Sequence, residues 1–427
     1  MDSVVGRFFR ERRYLGAADR RFISETTYGM LRNAKLLDFY VRQAGSSTLS
    51  PEALADPLHP LLHYTAHAGT FLREPASSIE EDIAPLWLVA FPDCDSGEFV
   101  RAVRELPFLE SISQDPFQDL AIRYSLPEFV VQEWIGSYGI VETRQLCEAS
   151  NSPAPITIRV NTLKTTVDEC HRVLEREGVT CEKTRLSPIG LILAKRINVR
   201  SLAAFKQGFF EMQDEGSQLV SILMEPRAGE SIVDACAGSG GKGLHMAALM
   251  NNRGVIYVAE IEEDRFRDMG TRSRRAGVSI LRRYLQNQNS PVPVHLQGKM
   301  DGVLIDAPCS GTGTFRRNPG AKLELTEHFV ERRVRTQRSI LESYAPLVKP
   351  GGRLVYATCS LLRRENEEVM EWFLQVHPEF SLLPADEVLS RSGVVVSFPN
   401  RYMSLFPHRN FTDGFFAAVL CRTSSER

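Results

Sequence analysis

The chain has 427 residues, 43% of them hydrophobic and 24% charged, with a formal net charge of −2. That length supports two or three domains, no apolar run approaches the roughly 20 residues of a membrane span, and a near-neutral balance excludes a uniformly basic nucleic-acid binder while leaving room for local basic patches. Eight scattered cysteines without a CxxC pair point to reduced thiols in a cytoplasmic protein, and the arginine-bearing start has no apolar stretch behind it, so no secretory signal is expected.

Residues 1–125 read as a helical domain. Over Asp19–Ala44, Phe22, Thr26, Leu31, Ala34, Leu37 and Val41 recur at helical spacing and predict one amphipathic face. His59, His63 and His67 share a helix face at i, i+4 and i+8; further ligands are lacking, so a packed or solvated stripe is expected and no metal site. Residues 126–215 change character: strands are expected at Ile156–Asn161, Leu191–Ala194 and Gly208–Met212, with a helix over Val167–Glu177 ended by Gly178, which makes a small α+β module. From 216 to 427 apolar strands at Ile232–Asp234, Val255–Ala259, Val303–Ile305 and Leu354–Tyr356 alternate with helices, the pattern of an α/β doubly wound parallel sheet. A late segment, Asp413–Leu420, is expected as an edge strand.

Three strand ends in this last region, one glycine-rich and two thiol-bearing, carry most of the chemistry. The glycine-rich turn Cys236-Ala237-Gly238-Ser239-Gly240-Gly241-Lys242 follows a strand and precedes a helix, so its backbone can approach a ligand closely and its amides favour an anion. A phosphate-binding P-loop fails on spacing, because Cys236 stands where its first glycine belongs. Gly238, Gly240 and Gly243 formally match a dinucleotide fingerprint, and Glu260 ends the next strand where an acid would accept ribose hydroxyls; that geometry serves NAD and S-adenosylmethionine alike. Cys309 and Cys359 follow two other strands, and hydride transfer has no evident use for thiols there. Arginines cluster near the start, at Arg272–Arg283 and from Arg316 to Arg338, which suggests phosphate contacts.

The segments VLIDAPCSGTG (Val303–Gly313), YATCS (Tyr356–Ser360), RVNTLK (Arg159–Lys164), FFEMQDEGSQLV (Phe209–Val220), Glu365-Asn366-Glu367 and DGFF (Asp413–Phe416) together resemble the RsmB/Nop2/Sun family of RNA cytosine-C5 methyltransferases, over nearly the whole length. The cofactor loop departs from the family's CAAPGGKT at Gly238, Ser239 and Gly243, and Glu260 replaces an aspartate. The resemblance implies an all-α NusB-like domain, an RNA-recognition-like α+β module and a Rossmann-like methyltransferase domain that binds S-adenosyl-L-methionine. It assigns Cys359 as nucleophile at cytosine C6, Cys309 to adduct breakdown and Asp306 to base or cofactor. It assigns the cofactor to Cys236 through Lys242, Glu260 and Asp306, with Asn287 standing in for an absent adenine-binding carboxylate. Arg159, Asn161, Lys164, Arg316, Arg317 and Asn318 are expected on RNA. The implied partner is RNA, ribosomal first and transfer RNA second, with no membrane and a monomeric enzyme; a non-catalytic assembly factor is the rival of another class.

Overall fold

In the computed structural model, which describes residues 2–51, 59–72, 75–106, 112–286 and 294–423, the helical pattern over 19–44 is divided into two helices, Ala17–Arg32 and Ala34–Thr48. The break is chemical. Asn33 turns its side-chain amide back to the Gly29 carbonyl at 3.0 Å and accepts from Asn151 Nδ2 at 3.0 Å, so it competes with the helix for backbone partners. Thr26, Leu37 and Val41 face inward, whereas Phe22 is exposed. Of the histidine stripe, His59 caps the helix Pro60–His67 by accepting from the Leu61 amide, and His63 and His67 are buried.

Contacts divide the chain into two units: residues 1–152 with 315–326, and residues 153–314 with 327–427. The first is helical, with Leu37, Val41, Leu62, Ile79, Ile83, Trp87 and Phe99 in its core. It also takes in the excursion that follows the DAPCSGTG segment. Phe315 is buried near Trp134, ring centroids 6.5 Å apart. Lys322 is 2% exposed and donates to the Tyr124 carbonyl at 3.0 Å and to Asn151 Oδ1. Burial, reinforced by Arg32, brings its ammonium down to about 7.

The second unit contains two sheets among the described residues. The small one is antiparallel, built from β1 (Ile156–Val160), β2 (Cys181–Lys183), β3 (Gly190–Leu193) and β4 (Phe210–Met212) in the order β2-β3-β1-β4. Helix Val167–Arg176, capped by Thr166, covers it with Cys170 and Leu174 against Ile158, Val160, Leu191 and Phe210.

The large sheet comprises β5 (Ser231–Asp234), β6 (Val255–Glu260), β7 (Leu281–Leu285), β8 (Met300–Asp306), β9 (Val348–Thr358), β10 (Phe380–Leu383), β11 (Met403–Leu405) and β12 (Phe415–Arg422). Their order is β10-β12-β9-β8-β5-β6-β7, with β11 also on β12. From β7 to β9 the strands run parallel. The chain leaves β5 towards β6 and β7, then returns to lay β8 and β9 on its other side. That reversal opens a crevice beyond the carboxyl ends of β5 and β8. One expectation needs correction: β12 is not an edge strand, because it pairs antiparallel with β9 on one side and with β10 and β11 on the other. Its run Phe415–Leu420 is buried throughout, as an interior strand covered on both faces requires.

Candidate active site

Two loops leave neighbouring strands and meet at their thiols. Cys309 follows β8, Cys359 follows β9, and their sulfurs lie 3.4 Å apart. The loops are fastened to each other by buried polar groups. Glu365, fully buried, accepts from the Ser310 amide at 2.8 Å, from Ser310 Oγ at 2.5 Å and from Gln337 Nε2 at 3.1 Å. Ser360 Oγ lies 3.1 Å from Ser310 Oγ and 3.2 Å from Thr312 Oγ1, and the Leu361 amide donates to Thr312 Oγ1 at 2.8 Å. Asn366 receives the Thr358 hydroxyl at 2.6 Å and donates to the Ser360 carbonyl at 2.9 Å. Each satisfied buried group here would cost roughly 1–3 kcal/mol if left without its partner. The resembled Glu365-Asn366 pair is therefore a bracket around both cysteine loops.

Backbone contact completes the clamp. Gly313 donates to the Cys359 carbonyl and accepts from the Gly414 amide, at 2.9 and 2.8 Å. A Cβ on Gly313 would sit 2.3 Å from the Gly414 carbonyl oxygen, so this approach needs glycine.

The hydrogen bond to Cys359, then burial, raises the Cys309 thiol well above its ordinary value, so Cys309 keeps its proton. Lys242 Nζ pairs with Asp306 Oδ2 at 2.5 Å and lies 5.6 Å from the Phe415 ring centroid. Burial works against the Lys242 charge, but Asp306 outweighs it, and the Cys359 sulfur also favours the ammonium. A fixed cation thus stands in the neighbourhood of Cys359.

The cofactor loop lies beside this group. Gly238 and Gly240 adopt φ of 56° and 82°, and a Cβ on Gly238 would meet nothing within 4 Å, so that side of the loop is open. Helix Gly241–Leu249 starts directly after it. Glu260 ends β6 and is 5% exposed; its Oε1 accepts from the Ile261 and Glu262 amides, both at 2.8 Å, which fixes the carboxylate. Cys236 closes β5 with its thiol pushed up by burial. Asn287 lies outside the described residues. Sequence reasoning missed Asp234, at the end of β5. Its carboxyl is fully buried, neither oxygen holds a well-formed hydrogen bond, and burial, with Asp306 adding, raises it to about 7. An acid closing the strand before a glycine-rich turn was the available signal.

The residues expected on RNA separate into interior and surface positions. Arg159, 1% exposed, gives its Nε to Gln213 Oε1 at 2.7 Å. Asn161, also buried, donates to the Gly208 and Ala276 carbonyls at 2.8 and 2.9 Å. Lys164 is on the surface, yet its ammonium sits on the Gln207 and Arg275 carbonyls at 2.8 and 2.7 Å. The RVNTLK segment thus fastens the small sheet to helix Glu263–Ala276. Arg316 is buried as well, whereas Arg317 and Asn318 are exposed.

Among known proteins, residues 221–421 match the family described as 16S rRNA methyltransferase RsmB/F, and residues 126–200 match the ferredoxin-like domain of RsmF/B-like methyltransferases. The chain is 30% identical to the probable ribosomal RNA small subunit methyltransferase B of Bacillus subtilis, covering 94% of this chain and 90% of that protein. It is 31% identical to the 28S rRNA (cytosine-C(5))-methyltransferase of Mus musculus over 72% of this chain and 40% of that protein. The crystal structure of PH0851 superposes with a TM-score of 0.77 at 29% identity, over 96% of this chain and 92% of that one.

Proposed function

The chain belongs to the RsmB/F family of 16S rRNA methyltransferases, and from that premise we propose that it transfers a methyl group to C5 of a cytosine in small-subunit ribosomal RNA through a covalent adduct on Cys359. The observation that carries this reading is the thiol pair at the ends of β8 and β9, beside the Lys242–Asp306 ion pair. Ferredoxin-like similarity from residue 126 supports dividing the chain into a helical domain (1–125), a small module (126–215) and a catalytic domain (216–427).

The methyl donor is S-adenosyl-L-methionine, and the residues present fit it. The open side of the Gly238 turn and the first amides of the following helix suit the methionine carboxylate, and Glu260 suits the ribose hydroxyls. Asp306 and Glu260 against Lys242 leave a surplus of negative charge in one neighbourhood, which suits a cationic sulfonium. When bound, the cofactor supplies an electrophilic methyl group to a carbon nucleophile.

The chain's residues must create that nucleophile, because C5 of cytosine is weakly nucleophilic. Cys359 thiolate adds to C6, forming the S–C6 bond and passing the C5–C6 π electrons to the ring. Asp306, held by Lys242, is assigned to positioning the base or the cofactor during addition. After C5 has attacked the methyl group, the C5 proton passes to a solvent base, the C5–H electron pair re-forms the C5–C6 double bond, and the S–C6 bond breaks with its electrons returning to the Cys359 sulfur. Cys309 keeps a proton in the resting site and stands within hydrogen-bond reach of that sulfur. It donates to the departing thiolate and lowers the barrier to release. The target base leaves any stack to reach the thiol.

Among the described residues no helix is long and apolar enough to cross a membrane. The eight cysteines are free, and we place the protein in the cytoplasm as a monomer. Bisulfite sequencing of RNA from cells with and without the gene, together with methyl transfer to 16S transcripts, tests the assignment. Loss of one 16S methylcytosine is expected. A site lost from transfer RNA would move the substrate, and no methyl transfer with retained RNA binding would leave an assembly factor.

A further inference from the structure

Helix Glu263–Ala276 begins just after Glu260 and runs back along the glycine-rich turn. Two of its side chains, one turn apart, reach that turn. Met269 packs so tightly under Gly240 that a Cβ there would lie 2.6 Å from its Cγ. Arg272 donates from NH1 to the Ser239 carbonyl at 3.0 Å. The other edge of the same guanidinium binds Glu211 Oε2 on β4, through Nε at 3.1 Å and NH2 at 3.0 Å. Glu211 is 2% exposed, and its second oxygen is taken by Arg275 at 2.5 Å. Arg275 in turn lies over the Phe205 ring, 3.9 Å from its centroid. A planar fork holds the carboxylate on one edge and the carbonyl on another in a fixed geometry, which the single point of a lysine ammonium does not reproduce.

Ser239 is flanked by Gly238 and Gly240, both at positive φ. A turn of this composition has a large conformational entropy to lose when it closes on a ligand. Its own closure among the described residues is the Gly240 amide on the Ala237 carbonyl at 2.9 Å, to which Arg272 adds an anchor from another element.

We propose that Arg272 is a positioning residue for the cofactor turn, and that Glu211 makes the small sheet part of that device. The proposal rests on the reading of the turn as the S-adenosylmethionine site. Arg272 pre-orders the turn before the cofactor arrives, so its effect falls on cofactor affinity more than on turnover. Because its other anchor is on β4, any ligand that shifts the small sheet changes cofactor affinity, and the cofactor changes affinity for that ligand by the same factor.

The test uses the full chain and S-adenosylhomocysteine in a calorimeter. Arg272→Met is expected to weaken binding about tenfold to hundredfold, the scale of one charge-assisted hydrogen bond. The KM for S-adenosylmethionine should rise in step while kcat at saturation changes little. Arg272→Lys should not restore affinity. Glu211→Gln, which keeps the shape and the acceptor but loses the charge, should give a smaller loss. The double variant should be no weaker than Arg272→Met alone, because both act through one contact. Unchanged affinity in Arg272→Met overturns the proposal, as does strict additivity in the double variant. If Arg272→Met does not fold, Glu211→Gln with wild-type affinity overturns it. Failure of the wild-type protein to bind S-adenosylhomocysteine would instead strike the reading of the turn itself.

Discussion

Cys309 Sγ stands 3.4 Å from Cys359 Sγ although 50 positions separate them in the chain, and that contact, with burial, raises the Cys309 thiol well above its ordinary value. A thiol that keeps its proton suits the role of helping the other sulfur leave. Cys359→Ala is expected to abolish methyl transfer and any RNA-linked species. Cys309→Ala should let a covalent complex accumulate, since addition proceeds and departure loses its donor. A denaturing gel with labelled RNA reads both; an adduct formed by the Cys359→Ala protein would exchange the two roles.

Glu260 presents a carboxylate fixed by the Ile261 and Glu262 amides. Glu260→Ala should lose about 1.5–3 kcal/mol of S-adenosylhomocysteine binding, as a charge-assisted hydrogen bond does. Glu260→Gln, which keeps an acceptor for the amides, should lose less. Calorimetry decides, and equal affinity in all three proteins would place the ribose elsewhere.

Asp234 gives the fold a pH signature. Burial raises its carboxyl from the ordinary 3.8 to about 7. Between those values the folded protein holds a proton that the unfolded chain has released. Its contribution to stability is therefore full below the lower value and is lost as pH rises to about 7. Asp234→Asn cannot ionise, so it should gain stability relative to the parent across that window, by up to a few kcal/mol, and show no further relative gain above it. Melting curves of both proteins from pH 4 to 8 measure the difference. A constant difference would mean that the carboxyl is ionised throughout.

Arg317 and Arg316 are adjacent but should behave differently. Arg317 is exposed, and Arg317→Ala should flatten the plot of log RNA affinity against log salt by up to about one unit. Arg316 is buried, so Arg316→Ala should lower the melting temperature instead. An unchanged salt slope in Arg317→Ala would leave that side chain as solvated surface.

The strands before the glycine-rich turn and the two cysteines were legible because each is an apolar run leading into glycine, proline or cysteine, and a strand covered on both faces reads as such a run. β7 was missed because its LRRYL sequence has two exposed arginines and no apolar alternation strong enough to announce a strand. The position of β12 was missed for another reason: alternation and length do not say how many neighbours a strand has. Among site residues, type and motif found Cys309, Cys359, Lys242 and Asp306, which the fold brings into one neighbourhood. Arg159 and Asn161 are buried on the distant Gln213, Gly208 and Ala276, which their motif did not announce. A basic or polar side chain in a motif does not reveal whether it serves a phosphate or a protein carbonyl. Glu211 left no local signal, since its value lies in two arginines on another element.

The Gly313–Gly414 contact sets a schedule for synthesis. The turn after Cys309 is gripped by a residue made about one hundred positions later, and the β9 strand that bears Cys359 is completed on its outer side by β12. As the chain leaves the ribosome, the glycine-rich turn and both cysteines are already present, but the backbone clamp between their loops is not. Competence should switch on late in translation, as one event, when Gly414 and β12 take their places. A nascent chain stalled before them would carry every catalytic side chain and an unfinished site.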